Sequence, residues 1–184
     1  MWGFHEFIAF PCNTRYSTPL GLLGGPPWFY RVYEGARLRG MRYDCLVLLA
    51  PRDPLLFLES LDHYLEKRVD YEGGIPVPSR WMGSWYSCNP SLAAKGVEYD
   101  LYYCNRLNPL VLAEYDGYVR GYGCFVELLV LYTKVLAGVA EPGEEVLEYL
   151  EGCIRRTTWS RELHEAARRV VQSLLEPLRE ARTG

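Results

Sequence analysis

Short aromatic and apolar runs open the chain, and apolar positions recurring every three to four residues close it. Trp2–Phe10 and Trp28–Tyr33 are rich in residues that favour a pleated, half-buried backbone, and both predict strands. Between them, Pro11–Pro27 carries prolines, glycines and small polar residues and reads as irregular, a long connection of the kind used for lids and binding loops. Tyr43–Ala50 predicts a buried strand. Asp53 and Pro54 then supply an N-cap and a first helical position. The helix expected from Pro54 to Val69 buries Leu55, Leu58, Leu61 and Leu65, joined by Phe57 and Tyr64, on one stripe.

From Tyr71 to Gly96 the chain again reads as irregular, with Trp81, Trp85 and Tyr86 marking one short strand. Val97–Cys104 and Pro109–Asp116 are two strand-like runs separated by Asn105-Arg106-Leu107-Asn108, which predicts an antiparallel hairpin. Helices are expected over Gly121–Gly138, Glu144–Arg156 and from Ser160 onward. Leu163, Ala166, Ala167, Val170, Val171, Leu174, Leu175 and Leu178 form the last stripe, and Pro177 is expected to kink or end that helix. The pattern gives an α+β fold: a mixed or antiparallel sheet with packed helices, and two amphipathic helices at the end. One domain over 1–184 is expected, its core over 1–142 and a helical extension over 143–184.

Composition narrows the function classes. With 184 residues, 49% of them apolar, the chain can bury a core without metal help. Its 20 Lys and Arg against 23 Asp and Glu leave a net charge of −3, so no global positive field draws it to nucleic acid or anionic lipid. No positive, apolar leader precedes Phe4, and Tyr118–Ala140 carries Arg120, Glu127 and Lys134, so a cytoplasmic protein without a membrane span is expected. Arg far exceeds Lys and amides are few, which suggests a thermophile. Cys12, Cys45, Cys88, Cys104, Cys124 and Cys153 form no C-x-x-C pair, which argues against a zinc site. They read either as buried thiols or, in a hyperthermophile's cytosol, as disulfides. The strand-to-helix junction at Pro51–Pro54 has no glycine-rich turn, which excludes a dinucleotide fingerprint and a P-loop. His5, His63 and His164 share no metal-binding spacing, and no G-x-S-x-G elbow is present.

The candidate chemistry lies in the expected hairpin. Glu114 and Asp116, two apart, point to one face of a strand, and Asp100 on its neighbour can join them. Three such carboxylates suit Mg²⁺ or Mn²⁺, which would orient a phosphodiester and activate water. These residues resemble the PD-(D/E)xK nuclease superfamily. The resemblance covers roughly 54–138 and implies Asp100 and Glu114 as metal ligands and Asp116 at the lysine position, all three catalytic. It further implies Glu59 or Glu66 as an extra ligand and a substitute cation among Lys95, Arg120 and Lys134. Arg120, Arg155 and Arg156 would hold a nucleic-acid backbone, while Glu162 and Glu165 near the last Arg cluster give the alternative of a salt-linked solvated surface. The competing reading of the chain is a non-catalytic interaction protein or homo-oligomeric subunit, in which helix Gly121–Gly138 and the C-terminal stripe bury against a partner.

Overall fold

The computed structural model describes residues 4–113, 120–158 and 160–183. It divides into two compact units, Met1–Glu114 and Tyr115–Gly184. The sequence expectation of an α+β fold holds.

In the first unit, β1 (Phe4–Pro11), β2 (Thr18–Gly24) and β3 (Trp28–Tyr33) precede a 3-10 turn at Arg37–Gly40. Next come β4 (Leu46–Pro51), α1 (Leu55–Leu61), α2 (Leu65–Arg68) and a small two-stranded sheet, β5 (Tyr71–Glu72) with β6 (Ile75–Pro76). The unit ends with β7 (Gly83–Cys88), β8 (Pro90–Ala94), β9 (Tyr99–Cys104) and β10 (Asn108–Val111). The main sheet runs β10-β7-β4-β1-β2-β3-β9-β8, and each neighbouring pair is antiparallel.

Alternation explains why the sheet curls. Phe7 and Ala9 of β1, Leu20 and Leu22 of β2, Tyr30 and Val32 of β3, and Leu46 and Leu48 of β4 form one buried cluster together with Cys88 and Cys104. Four strands separate β7 from β9 in the sheet order, yet a disulfide joins Cys88 to Cys104 with their Cα atoms 5.8 Å apart. Bringing those two strands together requires the sheet to close on itself around the apolar cluster. On the opposite face Ile8, Phe10, Val47, Leu49 and Trp85 are also buried, so residues 7–10 of β1 and 46–49 of β4 are apolar on both faces. Phe10 and Trp85 pack there with ring centroids 5.4 Å apart.

Several expectations are corrected. Pro11–Pro27 contains a full strand, β2, whose Leu20 and Leu22 face the core while interspersed Pro and Gly disguise the alternation. β2 meets β3 at Leu23 and Gly24, so Pro19, which lies opposite Ile8 of β1, is outside that ladder. The helix expected over 54–69 divides into α1 and α2, because His63 between them takes a left-handed φ of 58° that no helix can continue through. Asp53 does cap the start, its Oδ1 accepting the Leu55 N–H at 2.9 Å.

The expected hairpin does not form: β9 pairs with β3 and β8, whereas β10 pairs with β7. Cross-strand aromatic pairs favour that arrangement, with Tyr30 stacked on Tyr102 at 5.4 Å and Phe29 beside Tyr103 at 6.1 Å.

The second unit contains α3 (Arg120–Leu136), α4 (Glu144–Thr157) and α5 (Arg161–Thr183). Phe125, Leu128 and Leu129 of α3 are buried, as are Leu147, Leu150 and Ile154 of α4 and the stripe Leu163 to Leu174 of α5. Cys124 and Cys153 link α3 to α4. Ser160 caps α5, its Oγ accepting the Leu163 N–H at 3.2 Å. That helix continues beyond Pro177 to Thr183 rather than ending there. Among the described residues no helix is long and apolar enough to cross a membrane.

Candidate anion-binding site

The segment leaving β1 is held at both ends. At its root the Cys12 N–H donates to the Cys45 carbonyl at 3.0 Å, and a disulfide joins the same two residues. Asn13 adopts φ 63° and donates its N–H to the Gly74 carbonyl at 2.8 Å, while the Thr14 hydroxyl donates to the Pro11 carbonyl at 2.7 Å. At the far end the Ser17 N–H donates to Glu66 Oε1 at 2.8 Å, and the Ser17 and Ser60 hydroxyls lie 2.9 Å apart. Arg15 and Tyr16, between these anchors, face a concavity.

That concavity measures about 300 Å³ and is lined by Arg15, Tyr16, Arg37, His63, Glu66 and Lys67. Four separate segments supply them: the β1–β2 connection, the 3-10 turn, the α1–α2 break and α2 itself. Each cation rests on a tyrosine ring. Arg15 lies 5.7 Å from the centre of Tyr71, Arg37 lies 4.9 Å from Tyr16, and Lys67 lies 4.9 Å from Tyr64. The Tyr16 ring in turn packs beside His63 at 5.8 Å. Among the described residues no carboxylate forms an ion pair with Arg15, Arg37 or Lys67.

Glu66 is the acidic member. Its Oε1 accepts from Ser17 and lies 3.4 Å from His63 Nδ1, while its Oε2 and the Tyr71 hydroxyl are buried without hydrogen-bond partners. Burial, reinforced by the negative charge of Glu66 and offset by Arg15, pushes the Tyr71 phenol up to about 12, so it stays protonated at neutral pH. Three cations against one carboxylate leave the pocket positive within a chain of net charge −3.

Of the carboxylates Asp100, Glu114 and Asp116 expected to bind metal, Asp100 lies among the described residues. Asp100 on β9 is buried and clamped by Arg39, whose Nε and Nη2 donate to Oδ2 and Oδ1 at 3.1 Å each. Arg39 also donates to the carbonyls of Val97 and Gly96, at 3.0 and 2.6 Å. Arg39's hydrogen bonds hold the Asp100 carboxyl below its usual range against the opposing effect of burial, with help from the Gly96 N–H and the charges of Arg39 and Lys95. Both oxygens are therefore committed to a structural ion pair. Glu114, Asp116 and the Arg120 side chain lie outside the described residues.

Glu59 is paired with Arg68, and Arg155 and Arg156 are exposed in the last turn of α4. Arg161 bonds Glu165 at 2.8 Å, as the salt-linked alternative anticipates. No group of three or more His, Cys, Asp or Glu among the described residues is placed to hold a metal ion.

Sequence reasoning missed Arg15, Arg37, His63 and Lys67 as a set, because no local spacing connects residues drawn from four segments. The one available signal was the long Pro11–Pro27 connection, which does carry Arg15 and Tyr16.

Residues 119–172 match the C-terminal model of a family described as a protein of unknown function, DUF447. A crystal structure of an FMN-bound protein of Methanosarcina mazei, assigned to DUF447, superposes on this chain with a TM-score of 0.71 at 18% identity. The match covers 94% of this chain and 95% of that one. The two chains share a fold. No curated protein matches this sequence. The expectation of Mg²⁺ or Mn²⁺ is corrected accordingly: the protein of like fold carries a flavin, and the described carboxylates here form no metal site.

Proposed function

We propose that this chain binds FMN, with its phosphate end in the pocket of Arg15, Arg37 and Lys67. The observation that carries the reading is that pocket, whose three cations lack carboxylate partners among the described residues, in a fold shared with an FMN-bound protein. The donor set fits. Guanidinium forks and an ammonium are the usual partners of phosphate oxygens, and tyrosine rings hold those cations in place before a ligand arrives. Flavin, when bound, supplies hydride or electron transfer, while the protein's contribution is binding and orientation.

The test is titration of the flavin-free chain into FMN, followed by flavin fluorescence and checked by co-elution on gel filtration. Saturable binding of one FMN per chain is expected. Absence of binding at any protein concentration up to the millimolar range would overturn the reading.

A separate, non-catalytic assembly role is favoured by Val146 and Tyr149, exposed three apart on α4, and by Leu136 and Val139, exposed at the end of α3 and just beyond it. Light scattering of the wild type beside Val146→Glu/Tyr149→Glu tests it: a multimer that dissociates in the variant is expected, and a monomeric wild type contradicts it.

A further inference from the structure

Resting on the flavin reading, we infer that the pocket recognises a terminal phosphate monoester and so makes the chain selective for FMN over both riboflavin and FAD. Charge is the first argument. Arg15, Arg37 and Lys67 contribute three positive charges and Glu66 one negative, leaving about two to be matched. A phosphate monoester carries about −1.5 to −2 at neutral pH. Riboflavin has no phosphate, and in FAD each phosphorus carries one ester and one anhydride linkage, with a single negative charge and a bridging oxygen in place of a free one. Only FMN presents the complementary group.

Preorganisation is the second argument. A long cationic side chain that must be frozen on binding loses rotamer freedom and weakens the interaction it makes. Here all three cations already rest on rings, Arg15 on Tyr71, Arg37 on Tyr16 and Lys67 on Tyr64. Tyr16 is itself buried and backed by His63. His63 holds a left-handed backbone at φ 58°, a conformation a non-glycine residue keeps only where its surroundings impose it, and such residues concentrate at ligand sites. Glu66 anchors the segment that carries Arg15 and Tyr16 through the Ser17 N–H. The tyrosines and Glu66 are thus positioning residues, and Arg15, Arg37 and Lys67 are the groups that touch phosphate.

The test compares binding of FMN, riboflavin and FAD to the whole chain by flavin fluorescence, with inorganic phosphate as competitor and salt as a variable. FMN is expected to bind about 100-fold more tightly than riboflavin, the equivalent of one or two charge-assisted hydrogen bonds. FAD should bind more weakly than FMN, and phosphate should displace FMN but not riboflavin. In Arg15→Ala/Lys67→Ala the preference for FMN should collapse toward unity while riboflavin affinity is kept. Tyr16→Leu, which removes no charge, should lower the preference in part.

Should the double variant fail to fold, Lys67→Gln and the salt series on the wild type still decide, since only FMN affinity should fall with salt. Equal affinity for FMN and riboflavin overturns the inference and the placement of the phosphate with it, and leaves flavin binding standing. Binding of inorganic phosphate without any flavin overturns the flavin reading and with it the selectivity, leaving a phosphate pocket for another ligand. Binding of neither overturns both.

Discussion

Asp100 shows how one residue can satisfy a sequence pattern and serve another purpose. Its place on a strand near other acids suggested a metal ligand, but Arg39, 61 positions earlier, takes both oxygens. No local spacing could have revealed that partner. The ion pair has a pH signature. The folded-state pKa of Asp100 lies below the ordinary value of 3.8, so its stabilisation is complete above that value and is lost as pH falls through the folded pKa. Asp100→Asn should therefore lower the melting temperature at pH 7, and the gap from the wild type should narrow once the pH drops below about 4. A gap that stays constant to pH 2 would show that the charge contributes nothing.

Among elements, what was legible followed from burial. β1, β3 and β4 could be read as short apolar and aromatic runs, and the three C-terminal helices from apolar positions that recur every three to four residues. β2 could not, since Pro19, Gly21 and Gly24 carry turn chemistry while Leu20 and Leu22 face the core. The supposed hairpin failed for a different reason: a four-residue connection with Asn105 and Asn108 after Cys104 fixes where a strand ends but not which strand receives the next one.

Strand partnership is a long-range property, and the Cys88–Cys104 link records it. Cross-linking residues 16 apart stabilises by about 3 kcal/mol on the chain-entropy account. Cys88→Ala/Cys104→Ala should lose about that much in urea unfolding, with the Cys12–Cys45 and Cys124–Cys153 links retained. An unchanged midpoint, or free thiols at 88 and 104 in the native protein, would contradict the closure of the sheet by this bond.

At the scale of the whole molecule, the α+β class was legible and the cationic pocket was not. The sequence lacks both glycine-rich phosphate fingerprints, yet an anion can also be gripped by side chains drawn from separate segments, such as Arg15, Arg37 and Lys67. Only the folded chain brings them together. A net charge of −3 likewise says nothing of a pocket in which cations outnumber carboxylates three to one. A crystal structure of the chain grown with FMN would show whether the phosphate sits in that pocket. Phosphate oxygens are expected about 2.7–3 Å from the guanidinium nitrogens of Arg15 or Arg37 and from Lys67 Nζ. Flavin phosphate seated anywhere else would contradict that placement.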